Sequence, residues 1–356
     1  MTNLQNDTKK AGMGGLQGII KKVGMARFII ALFLLLLLII SPFAGLRLDL
    51  TISDMITRFG MYSVLILSLI PMIQSGCGLN FGLPVGVIAG TFGAVLSVEF
   101  RLKGFTGLFF AIVVGAIIGL IAGYLYGKLL NKVKGDEMII ATYVGFAVVA
   151  LMSIVWVVLP FKNPHLILGY GGNGMRQTVN LDVYWMNRLS DVLAIKIGPY
   201  FQFDTGMFLF FAFMCFLVWG FFKTKTGTAM TAVGSNPEYA RAAGINVDKI
   251  RTLSVMLSTA IAAVGIVVYE QSFGFIQLYT APLNHTFSTI AAILIGGAAI
   301  NKASIKNVII GGFLSFGILY LAPVVINSTI KLDIADVVRL LVSNGMILYA
   351  LTRKER

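Results

Sequence analysis

Residues 28–46 read Phe-Ile-Ile-Ala-Leu-Phe-Leu-Leu-Leu-Leu-Leu-Ile-Ile-Ser-Pro-Phe-Ala-Gly-Leu, a run that carries no charge. At about 1.5 Å per residue such a helix reaches across the roughly 30 Å hydrocarbon core of a bilayer. Lipid offers no partner to an unpaired backbone group, and a Leu-rich run of this length is not a barrel strand, so the reading is a membrane helix. The rival is a signal peptide, with Lys21, Lys22 and Arg27 ahead of the apolar core and Ser41-Pro42-Phe43-Ala44-Gly45 as a cleavage region. The run continues through Leu46 to span length and its basic flank is long, which favours a span.

The rest of the chain agrees. Of 356 residues 57% are hydrophobic and only 12% charged, against about 25% charged in soluble domains. A soluble enzyme, a coiled coil and a disordered chain are excluded. The hydrophobic share supplies about ten spans of ~20 residues, and apolar runs fall near 28–46, 59–73, 84–98, 105–127, 138–160, 207–222, 253–270, 286–300, 307–326 and 334–351. The expected fold is an all-α polytopic membrane protein: a cytoplasmic segment 1–27, a transmembrane domain 28–351 and a cytoplasmic tail 352–356. With both ends inside, 18 Lys and Arg fall in inner segments and nine in outer ones, the bias expected of cytoplasmic loops. The net charge of +13 is thereby read as topology, with the lipid bilayer as partner and no nucleic acid. Cys77 and Cys215 lie in apolar stretches, and His165 and His285 are the two histidines. Neither a disulfide framework nor a metal site is expected.

Two segments break the pattern. Gln74-Ser75-Gly76-Cys77-Gly78-Leu79-Asn80-Phe81-Gly82-Leu83-Pro84 has no charge but is rich in glycine and polar groups. It reads as a broken helix facing a cavity, or else as a plain turn. The outer loop 161–206 carries Tyr184, Trp185 and Tyr200. Residues 181–197 form either an interfacial helix or a connection whose aromatics anchor at the membrane surface.

Catalytic patterns are set aside. Gly169-x-Gly171-x-x-Gly174 opens a polar loop instead of a helix, and Gly123-Tyr-Leu-Tyr-Gly127-Lys128 is one residue short of a phosphate loop. Without a nucleotide site here, ATP would be bound by another chain. Gly115, Gly119, Gly123 and Gly127 align as a ridge on one helix, serving packing within the chain or a dimer contact.

The loop 223–252 contains Ala232-Val-Gly-Ser-Asn-Pro-Glu-Tyr-Ala-Arg-Ala-Ala-Gly-Ile-Asn-Val247. Ser235-x-x-Glu238 reads as a capping box with Pro237 in the first turn, and Gly244 is placed to end the helix. Two turns of helix are not stable alone, so the segment is expected to dock onto a partner. The same stretch resembles the cytoplasmic coupling loop of bacterial ABC-importer permeases of the ribose-type sugar, nucleoside and branched-chain amino acid group. Ala291 through Gly297, Gly311-Gly312 and Gly78 through Gly82 resemble further stretches of that family. The sequence departs from it at Asn301 through Ser304, and at Pro84 or Val85, where the nucleoside branch often has an acid. The resemblance covers most of residues 55–350. It implies that Ser235, Asn236, Pro237, Glu238, Ala242, Gly244 and Asn246 meet an ATPase subunit. It also implies a second permease subunit, an extracytoplasmic binding protein and a bacterial inner-membrane location.

Polar groups in or beside spans are the candidate path: Gln74, Ser75, Asn80 with Phe81, Asn284, Thr286 and Ser288, each of which could instead bond a neighbouring helix. Glu270 and Gln271 read as solvated at a span end, and Asp336 with Arg339 as a local pair. The scarcity of charge in spans favours a neutral polyol or nucleoside as solute. A stand-alone secondary transporter would carry mid-span acids, and a membrane enzyme an inward His or Asp cluster.

Overall fold

The structure, a computed structural model, describes residues 25–167 and 175–330, with residues 337, 341, 344 and 345 besides. The expected span 334–351, the Asp336–Arg339 pair and the Gly169-to-Gly174 pattern lie outside the described residues. So do nearly all of segment 1–27 and the tail 352–356.

The helices in chain order are α1 (Met25–Phe43), α2 (Leu48–Leu67), α3 (Leu69–Gln74), α4 (Leu83–Glu99), α5 (Gly104–Lys132) and α6 (Glu137–Val158). After them come α7 (Thr205–Lys223), α8 (Lys225–Ser235), α9 (Pro237–Ala242), α10 (Val247–Phe273), α11 (Asn284–Ile295) and α12 (Ile305–Ile330). Among the described residues six stretches are long and apolar enough to cross a membrane: Leu48–Gln74, Gly104–Lys132, Glu137–Val158, Thr205–Lys223, Val247–Phe273 and Ile305–Thr329. The first nine expected runs each fall on a helix, but three of these helices are shorter. α11 stops at Ile295 because Gly296-Gly297 turn the chain, Gly297 at φ +84°.

Span two is longer than its apolar run. The chain is helical from Leu48, eleven residues before the expected start, because the polar residues of that first half find partners. Ser53 donates to the Gln202 carbonyl (2.7 Å), Thr57 to Asp204 (2.8 Å), and Tyr320 donates to Asp54 (2.5 Å). A hydropathy window discounts such residues. The interruption at Ser68 has a cause three residues on: Pro71 lacks the N–H that would bond Leu67 and crowds that carbonyl.

Leu48–Gln74 and Val247–Phe273 are central, 78% of each apolar window being buried against 17% for Glu137–Val158. α10 packs on α5, α4, α2 and α3, while α12 packs on α2, α11 and α1. The glycine ridge of α5 faces inward. A Cβ on Gly115 would sit 2.9 Å from Gly90 Cα of α4, and Cβ atoms on Gly119, Gly123 and Gly127 would sit 3.1, 2.8 and 3.0 Å from the Cα atoms of Ala260, Met256 and Thr252 on α10. The ridge therefore serves packing within the chain. Gly123→Leu is expected to lower stability by about 1–3 kcal/mol through overpacking, read as an earlier thermal midpoint of the detergent-solubilised protein. An unchanged midpoint would remove the ridge from the packing account.

Residues 181–197 do not form an interfacial helix. Residues 182–193 are consecutive turns, with Asn187 and Leu193 at positive φ, and strands β2 (Ile195–Ile197) and β3 (Phe201–Phe203) pair antiparallel. β1 (Thr178–Asn180) pairs with β4 (Phe275–Gln277), tying loop 161–206 to the end of α10. Trp185 and Tyr184 are buried in the protein and do not anchor at a surface: Tyr184 accepts the Asn163 amide at 2.9 Å, and its carbonyl accepts Gly104 N–H at 2.7 Å. Tyr200 is exposed and holds the Arg47 guanidinium over its ring at 3.5 Å.

Candidate functional site

The break between α3 and α4 is real and buried. Helix stops at Gln74 and resumes at Leu83, with Gly76 and Gly78 at φ +72° and +78° giving the chain a path that L side chains rarely take. Ser75, Cys77, Leu79 and Asn80 are all buried. A buried non-helical segment must find partners for its polar groups, and α10 supplies them. Ser75 Oγ lies 2.6 Å from Ser254 Oγ, Asn80 donates to Ser258 Oγ at 3.0 Å, and Tyr126 of α5 donates to the Asn80 amide oxygen at 3.2 Å. Gln74 donates to the Ala303 carbonyl.

These bonds give the surroundings of three candidate path residues. Gln74, Ser75 and Asn80 stitch the break to its neighbours, the helix-bonding alternative of the sequence reading. Phe81 and Thr286 are brought together on a small cavity of about 20 Å³ with Pro84 and Phe287. Thr286 Oγ1 is buried without a partner, and a cavity of that volume has room for a water. Asn284 starts α11 on an exposed position and Ser288 is half-buried; neither is placed in that cavity. A larger cavity of about 460 Å³ between α4, α5 and α6 is apolar, and the hydroxyl of Tyr126, which lines it, is turned to Asn80.

A charged cluster closes one end of the seam. Arg251 Nε lies 3.3 Å from Cys77 Sγ, its terminal nitrogen pairs with Glu137 at the start of α6, and Ser254 Oγ donates to the Arg251 carbonyl at 2.7 Å. Sequence reasoning did not single out Ser254, Ser258, Arg251 or Glu137. A signal existed: Arg251, Ser254 and Ser258 fall at i, i+3 and i+7, one face of a helix. Glu270 and Gln271 also overturn their reading, since both are buried instead of solvated. Gln271 accepts Leu189 N–H at 3.2 Å, and Glu270 accepts the Thr91 hydroxyl at 3.1 Å.

The coupling-type segment folds as a hairpin of short helices. The capping box is not formed. Ser235 ends α8 and donates to the Ala232 carbonyl at 3.0 Å, while the cap of α9 is Asn236, whose side-chain oxygen accepts Tyr239 N–H at 2.9 Å. The cause is Pro237: a residue before proline is pushed to extended backbone, and Asn236 sits at φ −155°, ψ 99°. Gly244 follows α9 at φ +81°, as its placement suggested, and Asn246 caps α10 by accepting Lys249 N–H at 3.0 Å. Val233, Ala240 and Val247 form a small core under the hairpin. Ser235, Asn236, Pro237, Glu238, Ala242, Gly244 and Asn246 are all exposed, and Tyr239 is 72% exposed.

Both arms of this hairpin touch the break. A Cβ on Gly234, in the last turn of α8, would lie 2.9 Å from the Gln74 carbonyl carbon and 3.0 Å from Gly76 N. On the other arm Arg251, one turn into α10, bonds Cys77.

Residues 51–351 match the family described as the branched-chain amino acid transport system / permease component. The chain belongs to this permease family. Curated relatives of the permease include nucleoside ABC transporter permease proteins NupB and NupC of Lactococcus lactis subsp. cremoris. NupB is 26% identical over 52% of this chain and half of its own length; NupC is 27% identical over 64% of this chain and 71% of its own. The autoinducer 2 import system permease protein LsrC of Enterobacter sp. is 24% identical over 80% of this chain and 76% of its own. No solved structure matches. The permease sits in the bacterial cell membrane with several spanning helices.

Proposed function

We propose that this permease passes a small neutral solute, a simple sugar or nucleoside, delivered by an extracytoplasmic binding protein. Alternating access is driven by ATPase subunits on the cytoplasmic side and completed by a second permease subunit. The basic residues of loop 223–252 support its lying on the cytoplasmic side. The observation that carries the reading is the exposed hairpin 235–246 whose two arms contact the same buried break. A force applied at the hairpin is delivered to a non-helical, polar-bonded segment inside the bundle. The relatives named for nucleosides and autoinducer 2 support a polyhydroxylated solute over a branched-chain amino acid.

Glu238→Arg and Gly244→Asp are expected to abolish uptake while leaving membrane insertion intact, because they alter the exposed docking face and its turn. Co-purification of the ATPase subunit after gentle solubilisation should fall with uptake. Undiminished uptake in both variants would sink the coupling role, and transport by this chain alone in ATP-free proteoliposomes would replace it with a secondary transporter.

A further inference from the structure

Polar contacts recur along one seam, where the break and α4 face α10. They form three rungs in order along α10: Ser75 with Ser254 (2.6 Å), Asn80 with Ser258 (3.0 Å) and Thr91 with Glu270 (3.1 Å). The first two are saturated, Ser254 by the Arg251 carbonyl and Asn80 by the Tyr126 hydroxyl. Between the second and third rungs the helices meet backbone to backbone. A Cβ on Gly86 would lie 2.6 Å from the Thr259 carbonyl oxygen, and one on Gly90 would lie 2.9 Å from the Ala263 carbonyl carbon.

The third rung is open. Glu270 is 2% exposed, and its Oε1 accepts from Thr91 while its Oε2 is buried with no partner. Among the described residues no cation pairs with it. Its neighbour Gln271 has both ends of its amide engaged, accepting Leu189 N–H and donating to Ser190. A carboxyl left half-satisfied in the interior costs about 1–3 kcal/mol, more if it is charged. A glutamine or an apolar residue would bridge or pack there at lower cost, and an ionisable group inside a membrane bundle is retained where it is used. Tyr269, the residue before it on α10, packs among other buried rings. Tyr269 meets the His285 ring edge-on at 4.8 Å, Tyr62 stacks on Phe316 at 3.8 Å and lies 5.8 Å from His285, and His285 Nδ1 is also buried without a partner. Rings beside a hydrogen-bond acceptor suit a solute with an apolar face and hydroxyl edges.

We propose that Glu270 contacts the transported solute and sets its specificity, its open oxygen accepting hydroxyl hydrogens from a vicinal diol of a neutral furanose or nucleoside. This assignment rests on the importer reading above. It places the contact beyond the glycine-sealed stretch of the seam, on the side of α10 away from the coupling hairpin.

The test uses the complete transporter, with its ATPase and binding protein, reconstituted in proteoliposomes. Uridine and 2′,3′-dideoxyuridine are the probes, each at saturating concentration. The wild type is expected to pass uridine about tenfold faster, one hydroxyl-to-carboxyl bond's worth of discrimination. Glu270→Gln keeps an acceptor for Thr91 and should bring the two rates together, with assembly unchanged. Glu270→Asp, retaining a carboxyl, should keep part of the preference. A Glu270→Gln transporter with wild-type preference overturns the assignment, and so does a wild type indifferent to the diol. Failure of both variants to assemble assigns Glu270 to packing and overturns it as well. Uptake that needs no ATP would instead overturn the importer reading, whatever the selectivity of the variants.

Discussion

Arg251→Met is expected to destabilise the detergent-solubilised permease by roughly 3–5 kcal/mol, and Glu137→Gln added to it is expected to restore most of the loss. The asymmetry follows from burial. Arg251 and Glu137 side chains are 10% and 16% exposed, so removing the cation leaves a carboxylate with little water to replace it. Glu137 keeps the Gly135 N–H at 2.9 Å. With both charges gone, a methionine of similar length fills the space beside Cys77 and nothing uncompensated remains. Because Glu137 has some solvent access, the lower half of that range is the better expectation. The two thermal midpoints measure it. The pair also holds the break, since Arg251 bonds Cys77 Sγ at 3.3 Å. In a Cys215→Ser background the single variant should therefore label faster with N-ethylmaleimide at Cys77. Equal midpoints for the single and double variants, with no change in labelling, would mean that the pair neither stabilises the bundle nor covers the break.

Much of this was legible in the sequence, and what was missed shares one physical origin. The charge-free runs and the glycine-punctuated stretch at 74–84 located nine helices and the break, because lipid forbids unpaired backbone and so makes local composition decisive. Gly244 was legible because only a residue at ease with positive φ fits that cap. Polar partners across the bundle were not. Ser53, Thr57 and Asp54 lowered the apparent hydropathy of α2, although each is matched by a residue about 150 or more positions away. Glu270 looked like a solvated helix end because its distance from Phe273 is short in sequence, whereas loop 161–206 and β4 fold over that end and bury it. Ser235 was mistaken for the cap because the motif spacing is right; Pro237 moves the extended residue to Asn236.

Gly234→Ala is expected to cut uptake by about tenfold or more, whereas Gly220→Ala should leave it unchanged. Both glycines lie within helices, so intrinsic helix propensity favours alanine at each by a similar amount. They differ in what a methyl would meet: nothing within 4 Å at Gly220, but the Gln74 carbonyl and Gly76 N at Gly234. Those are backbone atoms of the break and cannot rotate aside as a side chain would. Relief requires either α8 to back away or the break to shift, and Gly76 offers no slack, since its own Cβ would lie 3.1 Å from Gly234 Cα. In the first case the hairpin loses one of its two contacts with the break, and ATP hydrolysis should continue without import. In the second the Ser75–Ser254 and Asn80–Ser258 bonds are strained, and the thermal midpoint should fall with uptake. Measuring hydrolysis, uptake and midpoint on the same variant separates the two. A Gly234→Ala transporter with normal uptake would show that the close approach at the break is incidental to coupling.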